Sequence, residues 1–128
     1  MKKILLILTL MISFNSYGEW KEVSKSGYGS TYYIDFDTIK EHGGHLYFSS
    51  LTSSPKPNHW GDKSVKISYQ GACGTIKYKQ LSYIFYKQPM GRGIGETFNE
   101  PNPEWNYPEA YNVDEIYLTN RVCNYYFD

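Results

Sequence analysis

Two cysteines constrain the fold of this chain more than any other feature of its sequence. Cys73 and Cys123 are the only cysteines among 128 residues, so the chain can form one intramolecular disulfide. Such a bridge would close a loop of about 50 residues and would stabilise the fold by about 4 kcal/mol in the chain-entropy description. Disulfides persist in oxidising compartments, so the prediction depends on whether the chain leaves the cytosol.

The N-terminal segment predicts export. In residues 1–18, two lysines precede an apolar run from Ile4 to Ile12, and a short stretch of small and polar residues follows. This is the pattern of a secretory signal peptide, with cleavage expected after Gly18. The apolar run is too short for a membrane-spanning helix, which needs about 20 residues. No cysteine follows it to carry a lipid anchor, so we expect residues 19–128 to form one exported, unanchored domain.

Export makes a disulfide between Cys73 and Cys123 the expected state of both thiols. Free thiols, or a metal site built on the two cysteines, are the weaker alternatives in an oxidising compartment. Pairing would also remove both sulfur atoms from any catalytic role.

The aromatic residues favour a β-rich domain. They make up 18% of the chain and include 14 tyrosines, which suit half-buried strands because the ring is apolar and the hydroxyl is polar. The segment from Ser64 to Gln70 alternates apolar and polar residues, which is typical of a half-buried antiparallel strand. The longest segment changes phase near Lys79 and Gln80, which predicts a β-bulge there. The predicted strands are 19–23, 31–34, 45–52, 64–70, 75–86 and a short one at 94–98.

The C-terminal segment predicts a helix. Asn112 and Glu115 have the spacing of a capping box. We expect the helix to lie against the sheet, tied by Cys123 to the turn that carries Cys73. Its predicted sheet-facing residues are Val113, Ile116, Tyr117, Asn120 and Cys123.

Three short motifs resemble catalytic or ligand-binding sequences, but each fits a structural role better. His42 and His45 flank two glycines, and no third ligand for a metal stands nearby. Asp35 and Asp37 lack the glycine and glutamate of a calcium loop. Asp37 is predicted to cap a helical turn at residues 38–40, which Gly43 and Gly44 are predicted to end. The glycines of residues 91–95 depart from the dinucleotide fingerprint. We predict no catalytic, metal or cofactor-binding residue, and a small enzyme that uses the aspartates or histidines remains an alternative.

The charges are balanced overall but segregated along the chain. Equal numbers of basic and acidic residues, 13 each, argue against nucleic-acid binding by bulk positive charge. Residues 56–92 nevertheless carry seven basic residues against Asp62 alone, whereas residues 96–115 carry six acidic residues and no basic one.

The basic span predicts a binding surface. Lys66, Lys77 and Lys79 are expected to interleave with tyrosines on a solvent-facing sheet, where they would bind an acidic protein segment or a polyanionic glycan. One alternative is a solvated strand face whose lysines prevent edge-to-edge aggregation. Another is that the basic and acidic spans neutralise each other within the fold or across a homodimer.

Several short motifs occur in a distinctive order along nearly the whole mature chain. The motifs are Trp20, Tyr32-Tyr33-Ile34-Asp35 followed by Thr38-Ile39, Lys63 to Lys66, Cys73, a long strand of tyrosine and lysine, Pro89 to Gly93, Trp105, and Val122-Cys123-Asn124-Tyr125. In the order and spacing of these motifs the chain resembles the bacterial surface-adhesin protein E family.

The resemblance implies an α+β fold, with an antiparallel sheet of about six strands and a C-terminal helix packed on one face and tied by the disulfide. It also implies an adhesin for the host extracellular-matrix proteins vitronectin and laminin. The binding segment of the family falls here on Lys66, Tyr69, Lys77, Tyr78 and Lys79.

We therefore predict an exported, non-enzymatic binding protein, either periplasmic or secreted and at the cell surface if it is an adhesin. Its partner would be a protein or a glycan, and it would need no cofactor. The alternative from another class is a periplasmic inhibitor or immunity-type protein that blocks a partner enzyme through the loop from Gly91 to Trp105.

Overall fold

The computed structural model describes residues 19–27 and 29–127, so the predicted signal peptide lies outside the described residues. This part of the chain forms an antiparallel sheet and one C-terminal helix, which confirms the predicted α+β class. The strands are β1 (Lys21–Lys25), β2 (Thr31–Ile34), β3 (Lys40–His42), β4 (His45–Ser53), β5 (Ser64–Ala72), β6 (Lys77–Tyr86) and β7 (Gly95–Asn99), and the helix is α1 (Val113–Phe127).

The sheet has the order β1-β2-β4-β5-β6-β7, and every pair is antiparallel. The short strand β3, which the sequence did not predict, pairs with the first half of β4, and β2 pairs with the second half. Strands β3 and β4 form a hairpin around Gly43 and Gly44, both of which have positive φ. Such a turn favours glycine at both central positions, so the glycine pair connects two strands and does not end a helix.

The predicted helical turn is displaced from residues 38–40 to Phe36–Thr38. Its cap is Asp35, whose side chain accepts a hydrogen bond from the backbone N–H of Asp37 at 3.2 Å. The prediction that Asp37 caps this turn is therefore wrong, because the cap lies two residues earlier.

A bulge in β6 confirms the phase change that the sequence predicted. Ser68 pairs with Ser82 and Tyr69 pairs with Gln80, so Leu81 is an extra residue in β6. Because side chains alternate between faces along a strand, this insertion brings Tyr78 and Tyr83 to the same face of the sheet.

The core lies between α1 and one face of the sheet, here called the helix-side face. Tyr69 stacks on Phe48 with ring centroids 4.9 Å apart and meets the edge of Tyr78 at 5.8 Å. The buried hydrophobic residues of this core are Ile34, Leu46, Phe48, Tyr69, Tyr78, Leu118, Val122 and Cys123. Within the described residues, no helix is long and apolar enough to cross a membrane.

The helix buries a stripe that overlaps only in part with the predicted one. Asn120 is exposed, and the side chains of Val113 and Tyr117 are 62% and 42% exposed. Cys123 is buried and Ile116 packs against the core, as predicted, and the other buried residues are Leu118, Thr119 and Val122. The buried hydroxyl of Thr119 donates to the carbonyl of Glu115 at 2.8 Å, so a polar side chain fits this stripe without an unpaired group.

Asn112 precedes the helix as predicted, but its side chain bonds to the preceding loop. Its Oδ1 accepts from the backbone N–H of Glu109 at 2.8 Å, and its Nδ2 donates to the carbonyl of Tyr107 at 2.8 Å. The backbone carbonyl of Asn112 accepts from the N–H of Ile116. The side chain of Asn112 therefore holds the conformation of the loop that leads into α1.

The predicted disulfide is confirmed. Cys73 and Cys123 are bonded, with their Cα atoms 5.7 Å apart and 50 residues between them in sequence. The bond joins the β5–β6 turn to the buried stripe of α1.

Removing this covalent link is expected to cost about 4 kcal/mol of unfolding free energy, since the unfolded chain regains the entropy of a loop of about 50 residues. The comparison is urea unfolding of the oxidised protein and of Cys73→Ala/Cys123→Ala. Reduction should also raise the intact mass by about two hydrogens. Two titratable thiols in the native, unreduced protein would contradict the pairing.

Gly71 lies where the helix packs tightly on the sheet. A Cβ atom there would lie 3.1 Å from Phe48 Cε1 and 3.2 Å from Thr119 Cγ2, whereas one at Gly74 would meet nothing within 4 Å. We expect Gly71→Ala to lower the unfolding free energy by about 1–3 kcal/mol through overpacking. Gly74→Ala is the matched control in the same urea titration. Equal stability of the two variants would show that the helix does not pack tightly over Gly71.

Candidate binding face

The sheet face opposite α1, here called the outer face, carries the three lysines that the sequence singled out. Lys66 and Gln70 lie on the same side of β5 because they are separated by an even number of residues. Lys79 pairs with Gln70, and Lys77 pairs with Ala72. Ala72 lies on the same side of β5 as Lys66 and Gln70. The structure therefore brings Lys66, Lys77 and Lys79 to one face.

The two tyrosines assigned to the same site lie on the other side of the sheet. Tyr69 and Tyr78 are 2% and 3% exposed beneath α1. Burial, followed by the nearby charge of Glu115, raises the pKa of Tyr78 to about 12, and burial also raises the pKa of Tyr69. The predicted interleaving of lysine and tyrosine on one face is wrong, because these residues alternate in phase along β5 and β6.

Burial also raises the pKa of Glu115, which lies in the first turn of α1, and the neighbouring charge of Asp114 raises it further. Tyr32 of β2 donates a hydrogen bond to Asp114 at 3.1 Å. The hydrogen bond from Tyr32 joins the start of the helix to β2, on the side of the sheet away from the outer face.

On the outer face, aromatic residues of the acidic span contact the lysines, where Tyr69 and Tyr78 were predicted to lie. Asn106 forms two backbone hydrogen bonds with Tyr78, at 2.7 and 3.1 Å. It therefore pairs with the edge of β6 as an isolated antiparallel bridge. Its neighbours Trp105 and Tyr107 consequently lie on the outer face.

Trp105 is the centre of this aromatic cluster. The Nζ atoms of Lys77 and Lys79 lie 4.4 and 4.8 Å from the centroid of its ring, within the range of a cation–π interaction. Tyr107 lies 5.5 Å from Lys77 Nζ, and the His45 ring is centred 5.2 Å from Trp105. Sequence reasoning missed the role of Trp105, although an aromatic residue on each side of Asn106 is compatible with a paired, extended segment.

Within the described part of the chain, no carboxylate forms a salt bridge with Lys66, Lys77 or Lys79. The salt bridge found there joins Lys87 to Asp62 at 2.9 Å, away from this cluster. The acidic span thus contributes aromatic rings to the lysines, and no salt bridge of the described residues joins the acidic span to the basic one. Neutralisation across a homodimer remains a prediction.

A cleft of about 410 Å³ opens in the same face. Lys66 of β5 and Tyr47 of β4 line it, together with Trp20 and Lys40. Asp35 also lines the cleft, although its side chain is only 5% exposed. The cleft therefore combines two aromatic rings, two cations and one carboxylate.

The remaining sequence motifs have structural roles. His42 and His45 flank the β3–β4 turn, and the Nδ1 atom of His45 lies 3.0 Å from Gln70 Nε2. Across residues 19–27 and 29–127, no cluster of three or more histidine, cysteine or carboxylate side chains is placed to hold a metal ion.

The glycine-rich segment forms a packed turn. The backbone N–H of Gly91 donates to Ser64 Oγ at 2.9 Å, and the Oγ of Ser64 donates to the carbonyl of Gln88 at 2.6 Å. A Cβ on Gly91 would lie 3.4 Å from Leu51. This segment therefore covers Leu51 at one end of the outer face.

Comparison with known proteins supports the fold and the family. Two crystal structures of protein E from Haemophilus influenzae are similar, one of them from a non-typeable strain. The first is 16% identical, with a TM-score of 0.66 over 85% of this chain and 90% of that chain. The second is 15% identical, with a TM-score of 0.54 over 84% and 86%.

These structural similarities establish the fold. No curated protein sequence matches the chain. The model of the surface-adhesin protein E family matches residues 20–124, which include every strand of the sheet and the disulfide. The chain belongs to the surface-adhesin protein E family.

Proposed function

We propose that this protein is an exported, non-enzymatic adhesin that binds host extracellular-matrix proteins, with vitronectin and laminin as the expected ligands. Family membership indicates an adhesin-like surface or exported protein with protein partners. The proposed contact residues are Lys66, Lys77 and Lys79, with Trp105 in the place first assigned to Tyr69 and Tyr78.

One observation carries this proposal. Lys77 and Lys79 lie over the ring of Trp105, and no carboxylate of the described residues pairs with them. A lysine held over an indole has fewer rotamers to lose when a partner binds, while its charge remains available. An acidic segment of a matrix protein would gain charge-assisted hydrogen bonds without displacing an existing ion pair.

Electrostatic attraction would also accelerate the encounter. Clustered positive charges steer an anionic partner, and the resulting association weakens as salt screens the charges. The zero net charge of the whole chain does not prevent this, because the opposite charges are segregated along the sequence.

Purified protein should bind immobilised vitronectin, laminin or heparin, with an affinity that falls as the salt concentration rises. Replacing Lys66, Lys77 and Lys79 together by glutamate should weaken binding at least tenfold, since each reversal turns attraction into repulsion. The matched control reverses Lys21, Lys25 and Lys56, which changes the net charge equally at exposed positions elsewhere. Surface plasmon resonance measures both variants.

Two results would contradict the assigned site. Binding that survives reversal of the three outer-face lysines would place the contact elsewhere. Equal losses in both triple variants would show that net charge, and not this face, controls the association.

A second candidate function is a periplasmic inhibitor that acts through the loop from Gly91 to Trp105. The feature that favours it is Ile94, whose side chain is 97% exposed in that loop. Together with Phe98 of β7, which is 51% exposed, Ile94 places apolar surface on this segment that a pocket of a partner enzyme would bury.

Localisation separates the two functions. Protease treatment of intact cells should degrade the protein if it is displayed for adhesion, because a surface protein is accessible to an added protease. A periplasmic marker protein must remain intact in the same sample. Full protection of the protein would contradict surface adhesion and favour a partner inside the envelope.

A further inference from the structure

We propose that the outer-face cleft is a binding site for a single acidic sugar unit, a pyranose ring that bears a carboxylate. The site shares Lys66 with the proposed matrix contact, but it is separate from the Lys77–Lys79–Trp105 cluster and takes a different ligand. Its chemistry differs from that of the cluster, because it contains both cations and a carboxylate.

The size of the cleft fits a small ligand. Its volume of about 410 Å³ lies within the range of roughly 300–1,000 Å³ that is common for small-molecule sites. It lies on an otherwise open sheet face, so a sugar at the end or in the middle of a longer glycan can enter it.

Its aromatic side chains suit a sugar ring. Trp20 and Tyr47 both line the cleft. The C–H face of a pyranose is apolar, and burying it against an aromatic ring removes apolar surface from water. A free phosphate or a short acidic peptide gains little from such a surface.

The lysines supply the preference for a negative charge. Lys66 is half-buried and Lys40 is exposed at the margin, and neither forms a salt bridge with any described residue. A sugar carboxylate would therefore meet two cations that are free to donate charge-assisted hydrogen bonds.

Asp35 distinguishes a sugar from other anions. Its side chain is 5% exposed, its Oδ1 accepts from the N–H of Asp37, and its Oδ2 has no hydrogen-bond partner among the described residues. Sugar hydroxyls can donate to this oxygen. Its charge repels a doubly charged anion such as phosphate or sulfate more strongly than it repels a single sugar carboxylate, and sulfate has no proton to offer it.

The experiment compares two disaccharides by calorimetry and by protein chemical-shift changes. One is glucuronate linked to N-acetylglucosamine, and the other carries glucose in place of glucuronate. The protein should bind the acidic disaccharide about tenfold more tightly, with shifts confined to the cleft, since a charge-assisted hydrogen bond is worth that factor.

Three substitutions test the assigned roles. Lys66→Met should reduce the preference for glucuronate, because only Lys40 would remain to meet the carboxylate, and Lys56→Met, a lysine in an exposed loop, should leave it unchanged. Asp35→Asn should weaken binding of the neutral disaccharide and tighten binding of inorganic phosphate. If Asp35→Asn fails to fold by circular dichroism, Trp20→Ala, at the margin of the sheet, should still weaken both sugars.

Several results would overturn the proposal. These are no saturable binding of either disaccharide at millimolar concentration, equal affinity for both, or competition by phosphate as strong as that by glucuronate. The double variant Lys77→Glu/Lys79→Glu should lose matrix-protein binding and keep sugar binding, so failure of one proposal is distinguishable from failure of the other.

Discussion

The packing of α1 against one face of the sheet is the constraint on which the rest of the structure depends. Leu118, Val122 and Cys123 close over Tyr69 and Tyr78, and the disulfide fixes this contact covalently. In a small domain with one modest core, such a bond limits the conformations of the unfolded chain and so compensates for limited apolar burial. Gly71 allows the close approach, because any larger residue would meet Phe48 and Thr119.

Committing the helix to one face leaves the other face without a covering layer. Short segments cover only its ends, one at Gly91 over Leu51 and the other at Trp105 over Lys77 and Lys79. The open middle contains Lys66 and the cleft. Strand lysines discourage edge-to-edge pairing, but here their ordering by Trp105 gives them a defined geometry that a solvated face does not need.

The sequence predicted the local elements well because their signals are local. The alternation from Ser64 to Gln70, the change of phase near Lys79 and the terminal helix all follow from strand and helix periods of a few residues. The same alternation places Lys66 and Tyr69 on opposite faces of β5. The predicted binding face that combined lysine and tyrosine was therefore inconsistent with the alternation in the sequence itself. The β3–β4 hairpin was missed because Gly43-Gly44 fits both a helix end and a two-residue turn.

The sequence by itself determined the disulfide, the α+β class and the segregation of charge, since each depends on residue identity, period or position along the chain. The tertiary structure decided which stripe of α1 is buried, that Asn106 pairs with Tyr78, and hence that Trp105 reaches the lysines. It also brought Asp35 and Lys66 into one cleft. These arrangements depend on contacts between residues far apart in sequence, whose free energies are decided by packing and register and not by local conformational preference.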